Sequence, residues 1–356
     1  MGHARETKSG IPLPAFRIIG TVIGAAVVLG VLVPLVLVTV QRRALATARD
    51  RHPPPGRLVD VGGHWLHIYC DGPSGPKTPR IVIDAGNASF SLDWIDIQRE
   101  LARSYRVCTY DRAGYGWSQP GPLPRNAHQV VQELHALLQE SGEAGPYLMV
   151  GHSLGGLHVQ LYAALYPEEV AGLVLIDSAT PYGLSPGFER QQRTTLGFYR
   201  TMRQLTAAGL LRVLGPLGGK EAVPPSVRGL PEDVQDAYLA LLLDPVYYET
   251  ASAEMVALPE SVEQTDAALY GDPPLGDTPL IVLTAARSAP PGSSPYTEET
   301  VSADPEQVRA QGELAQLSTR GERWMLGQSG HLVHLDAPES ILEAVEVVSD
   351  MVQRGR

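Results

Sequence analysis

Residues 151–155 read Gly-His-Ser-Leu-Gly, a G-x-S-x-G, between the apolar run "PYLMV" and a stretch of helical spacing. A serine on a sharp strand-to-helix turn has its hydroxyl lifted clear of the sheet edge, where it can attack an electrophile. The positions two residues either side must be small, and Gly151 and Gly155 meet that need. A helix beginning at Leu154 aims unpaired N–H groups and its positive dipole end at any charge that develops there. The plainer reading of Ser153 is a helix N-cap in a tight turn. Chemistry requires partners. A serine hydroxyl needs a base, and "SGHLVHLDAPE" (329–339) places His331 in the loop between a last strand and a closing helix. His334 is the rival, but it stands nearer that helix and is expected to pack. A developing oxyanion needs two N–H donors. Leu154 follows the serine directly, and "DAGNASF" supplies Asn87 in an open turn after another strand. The alternative for Asn87 is an ordinary strand-end turn.

These residues need a sheet edge to converge on. From Arg57 onward, expected strands and helices alternate, which argues for a largely parallel sheet with helices on both faces. "RLVDVGGHWLHIYC" reads as two strands meeting at Gly62-Gly63. "RIVIDAG", "RVCTYD", "PYLMVGHS" and "VAGLVLID" follow, with amphipathic stretches between them. The alternation stops over 178–278, a helical region with no convincing strand. It resumes with "PLIVLTA", a helix, "ERWMLG" and a helix to the end. The expected organisation is a core of 57–177 and 279–356 with an insertion at 178–278.

In this order, the pieces resemble the α/β-hydrolase family, in particular its membrane-associated or exported bacterial serine hydrolases. The resemblance runs from about Arg57 to the C-terminus and includes "YDRAGYGWS" (110–118), where Asp111 and Arg112 are expected to brace the loop. It implies an eight-stranded, mostly parallel sheet, with 178–278 as a cap over the site. It also implies that Ser153 attacks a carbonyl while His331 takes its proton. The chain departs from the family pattern at the acid. The loop after "PLIVLTA" is "ARSAPPGSS", without a carboxylate, and Glu298, Glu299 and Asp304 come many residues later. A known variant of the family places the acid after the previous strand. That strand ends in Asp177, giving Ser153, Asp177 and His331, with Asp304 or a nearby glutamate as the alternative.

Ile18–Val40 carries no charge over 23 residues, roughly 34 Å of helix, enough to cross a bilayer. We read 1–17 as a tail, 18–40 as an uncleaved transmembrane helix and 41–56, ending in "HPPPG", as a linker. Arg5, Lys8 and Arg17 precede the span and Arg42, Arg43, Arg49 and Arg51 follow it, a narrow lean toward a cytoplasmic main domain. The two cysteines lean the other way. In the strand order the resemblance implies, the second and fourth strands are antiparallel neighbours, which sets Cys70 close to Cys108. A disulfide there points to an oxidising compartment, and so to an extracytoplasmic domain.

A formal net charge of -11 and the absence of Lys/Arg-rich runs argue against nucleic-acid binding. No Cys-x-x-Cys exists and the ten histidines form no ligand set, so neither a metal nor a cofactor is expected. The expectation is therefore a single-pass membrane protein that cleaves a small-molecule carboxylic ester through an acyl-enzyme. A small-residue peptidase or amidase and an acyltransferase would share these residues. A non-catalytic membrane-anchored binding protein is the reading from another class.

Overall fold

The computed structural model of the protein describes residues 13–75, 79–182, 187–215, 224–288, 301–302 and 304–355. A long helix α1 (Leu13–Arg51) leads into strands β1 (Arg57–Asp60), β2 (Trp65–Asp71) and β3 (Arg80–Asp84). A 3-10 turn over Ser91–Trp94 precedes α2 (Ile95–Leu101). Then come β4 (Val107–Tyr110), α3 (Ala127–Glu140), β5 (Tyr147–His152), α4 (Leu154–Leu165) and β6 (Val170–Ile176). Four helices follow without a strand among the described residues: α5 (Phe188–Ala207), α6 (Leu210–Leu214), α7 (Glu232–Leu242) and α8 (Pro245–Ala268). The chain closes with β7 (Leu280–Ala285), a short ribbon of β8 (Arg287–Ser288) and β9 (Val301–Ser302), α9 (Pro305–Leu314), β10 (Gly321–Leu326), α10 (Val333–Asp336) and α11 (Pro338–Arg354).

Among the described residues one sheet has eight strands in the order β1-β2-β4-β3-β5-β6-β7-β10. From β4 to β10 every pairing is parallel, while β2 pairs antiparallel with both β1 and β4. Parallel strands covered on both faces must be apolar throughout, because alternate side chains point to opposite faces. Thus Ile81, Ile83, Leu148, Val150, Val174 and Ile176 meet Trp94, Ile97, Ile341 and Val345 on one face. Val82, Met149, Leu173 and Leu175 meet Leu134, Leu137, Val159 and Leu161 on the other. Each such side chain, fully buried, contributes roughly 1.5–3 kcal/mol. A third apolar cluster joins the helices between β6 and β7 to the carboxyl side of the sheet. It packs Phe90, Tyr115 and Trp117 against Tyr199, Tyr238, Leu241 and Tyr247.

The antiparallel register of β2 and β4 sets Cys70 directly opposite Cys108. The two are joined by a disulfide, with Cα atoms 4.0 Å apart.

The expected linker at 41–56 requires correction, because α1 does not stop at Val40. "QRRALATARDR" consists mostly of good helix formers, and packing holds it in place. Gln41 is buried, donating from Nε2 to the Leu243 carbonyl at 2.7 Å and accepting from Arg212 Nε at 2.7 Å. Arg49 donates to the Ser118 carbonyl, and Trp117 Nε1 to that of His52. Only 52–56 is non-helical. By length and composition α1 is long and apolar enough to cross a membrane, and none of its most apolar stretch is buried.

Candidate active site

Among the described residues three non-glycine residues have a left-handed φ: Ala88 at 55°, Ser153 at 52° and Asp177 at 37°. They follow the carboxyl ends of β3, β5 and β6, three adjacent strands. Each such conformation costs on the order of 1–3 kcal/mol and persists only where its surroundings enforce it. At Ser153 the enforcement is visible. Its N–H donates to the Ile176 carbonyl at 3.0 Å, and its own carbonyl accepts from Gly156 and Ala179. A side chain on Gly151 would sit 2.6 Å from Gly155 O and Gly156 Cα, and one on Gly155 would collide with the Asp84 carbonyl. The small residues around the serine are there because three backbone segments touch at this turn.

The turn points Ser153 Oγ at His331, 3.0 Å from Nε2. On the other side of the ring, Nδ1 stands 2.6 Å from Asp177 Oδ2. The carboxylate takes the Nδ1–H, which leaves Nε2 to accept from the serine hydroxyl. Asp177 is buried and is held in turn by the Ala285 N–H at 3.3 Å and Gln307 Nε2 at 3.4 Å. Burial opposes charge on His331, but the hydrogen bond to Asp177 and its negative charge outweigh it and raise the imidazole above its ordinary pKa. Of the other carboxylates weighed for this place, Asp304 instead caps α9 by accepting from the Glu306 N–H. Glu298 and Glu299 lie outside the described residues.

Two more histidines form the floor. His152 donates from Nε2 to the His331 carbonyl at 2.8 Å, tying the His331 loop to the serine turn. Burial, then the neighbouring His331 and His334, keep His152 neutral, well below the usual imidazole pKa. His334 packs, stacking on Trp94 with ring centroids 4.8 Å apart. Burial, with His331 nearby, pushes its pKa down to about 3.

Among the described residues no hydrogen-bond acceptor engages the backbone N–H of Leu154 or of Asn87. The Asn87 turn is clamped from below and above. Arg112 donates to the carbonyls of Ala85 and Gly86, and pairs with Asp84 at 2.7 Å and Glu254 at 2.7 Å. Burial alone would raise the pKa of both carboxylates, but the guanidinium outweighs it and holds them charged. Glu254, from α8, accepts from Asn87 Nδ2 at 3.0 Å, and Tyr199, from α5, donates to Asn87 Oδ1 at 2.8 Å. Asp111 accepts from the N–H groups of Ser91 and Trp117 and pairs with His67. Sequence reasoning missed Glu254, Tyr199 and Gln307, which sit in helices whose periodicity carries no sign of a site. Metal-type ligands come together at Cys70, Cys108 and Glu143. There the disulfide occupies both sulfurs, and Glu143 is engaged by Arg80 and Arg106.

A family model described as alpha/beta hydrolase fold matches residues 79–233. A protein of Hormonema carpetanum named as a probable transporter is 36% identical over 130 residues, 35% of this chain and 19% of that protein. The lipase LipV of Mycobacterium tuberculosis is 35% identical over 117 residues, 32% of this chain and 42% of the lipase. The chain thus spans less than half the length of these curated relatives. A thermophilic esterase from Thermogutta terrifontis superposes with a TM-score of 0.58 at 20% identity, covering 83% of this chain and 98% of the esterase. Together with the sheet order, these likenesses show the α/β-hydrolase fold.

Proposed function

We propose, from the α/β-hydrolase fold as premise, that this protein is a membrane-anchored serine hydrolase that cleaves a carboxylic ester through an acyl-enzyme. The observation that carries the reading is the continuous chain Ser153 Oγ, His331, Asp177, with spacings of 3.0 and 2.6 Å. Unengaged N–H groups are those of Leu154, next after the serine, and of Asn87, next after Gly86, where an added Cβ would stand 3.2 Å from Ser153 Cβ. His331 Nε2 takes the hydroxyl proton as Oγ attacks the ester carbonyl, and Asp177 balances the imidazolium. The N–H groups of Leu154 and Asn87 hold the oxyanion. His331 then returns the proton to the departing alcohol. Water attacks the acyl-Ser153 carbonyl with His331 again as base, freeing the acid. The helices of 178–278 act as the cap, and through Tyr199 and Glu254 they brace the oxyanion turn. The likeness to an esterase and a lipase supports ester chemistry. The exposed apolar length of α1 supports anchoring, and the Cys70–Cys108 disulfide supports an extracytoplasmic domain. The test is a series of p-nitrophenyl esters of increasing chain length, run on the full chain and on Ser153→Ala. Turnover by the wild type and its loss in the folded variant are expected. Wild-type turnover by the variant would overturn the reading.

A further inference from the structure

The place where the cap meets α1 has a consequence for what lies beneath the cap. Gly209, between α5 and α6, is pressed on α1 so closely that a Cβ there would stand 2.5 Å from the Leu37 carbonyl. Leu37 belongs to the uncharged run 18–40, not to the polar flank after it. Residues 31–36 are exposed, whereas Leu37 and Val38 are half-buried where the cap touches them. Arg212 Nε donates to Gln41 Oε1 at 2.7 Å and locks α6 to α1 one turn further on. Arg42 and Arg43, where phosphate headgroups would stand, are exposed. The apolar run is about 34 Å long against a hydrocarbon core of about 30 Å, so the core boundary falls within a turn of Leu37–Val40. The two residues that follow Arg212 on α6 present large apolar side chains outward, Val213 at 50% and Leu214 at 52% exposure.

We propose that the outward face of α6, Val213 and Leu214, is a second membrane contact, seated in the interfacial layer of the bilayer that holds α1. The proposal rests on the reading of α1 as a membrane span. The partner is a lipid surface, because the face follows directly on the contacts that join α6 to the end of the apolar run of α1, at Leu37 and Gln41. One consequence concerns the site. Ten residues of chain, about 15 Å at helical rise, separate Gly209 at the membrane from Tyr199 at the oxyanion turn. The site is then held no farther than about that length from the lipid.

The test uses the full chain in phosphatidylcholine vesicles, with Cys70 and Cys108 protected in their disulfide. Single variants Leu214→Cys, Val33→Cys and Met325→Cys are labelled with an environment-sensitive fluorophore and exposed to nitroxide-bearing lipids. Met325 lies on β10, at the opposite edge of the sheet from β1. We expect blue-shifted emission at 214, quenched more by a shallow than by a deep nitroxide. Position 33 should be quenched by the deep one and position 325 by neither. Quenching at 33 with none at 214 overturns the proposal and leaves the span intact. Absence of quenching at both removes the span and the proposal together.

Discussion

Asp177 Oδ2 and His331 Nδ1 stand 2.6 Å apart although 154 residues separate them in the chain. The pairing follows from sheet order. β6 ends at Ile176 and lies two strands from β10, whose trailing loop carries His331. Replacing the carboxylate should therefore act through the imidazole. Asp177→Asn is expected to lower kcat by roughly 10³–10⁴-fold. Since Asp177 raises the His331 pKa, the acid limb of the residual pH–rate profile should move to lower pH. A residual profile with an unmoved limb would show that another group orients the histidine.

The buried charges under the Asn87 turn make a stability prediction. Arg112 is the counter-ion of both Asp84 and Glu254, all three buried. Arg112→Met takes the guanidinium from two buried carboxylates and is expected to cost about 3–5 kcal/mol, measured by urea unfolding. A loss within experimental error would mean that water or His158, 3.1 Å from Asp84, compensates for the missing guanidinium.

Stability should also fall with acid in a window set by histidines. In the unfolded chain His152 and His334 charge near pH 6.5, but in the folded protein His334 does so near 3 and His152 well below its usual value. Below pH 6.5 the unfolded chain binds the extra protons, so stability declines as pH drops. His331 works oppositely: its raised pKa adds stability below 6.5 that is lost as pH rises through its folded value. Two groups against one predict a melting temperature that falls from pH 6.5 to 4.5, above the range where carboxylates dominate. His334→Gln should flatten that slope, and a slope unchanged in the variant would rule His334 out as its source.

The cross-strand disulfide closes a separation of 38 residues. Thiol titration of the denatured, unreduced protein should find no free cysteine. The double variant Cys70→Ser/Cys108→Ser is expected to lose about 2–4 kcal/mol. Two titratable thiols in protein isolated from its native cells would place the domain in a reducing compartment.

Local pattern was enough to read the strands and helices of the core, the serine turn and the apolar span. Each depends on periodicity or on a few adjacent residues: continuous apolar runs for buried parallel strands, glycines where backbones touch, 23 uncharged residues for one long apolar helix. His331 and the Asn87 turn were legible for the same reason, since a loop after a strand in such a sheet can only open at its carboxyl edge. The partner of His331 was different. Asp177 and Asp304 both follow strands and both are short acidic residues. Only the folded sheet sets the first at 2.6 Å from the ring and turns the second to cap α9. The same holds for Tyr199 and Glu254, and for the docking of α1 along the cap through Gln41. In each case two groups more than a hundred residues apart meet. Their contact depends on how packed layers align, which side-chain spacing along one segment does not record.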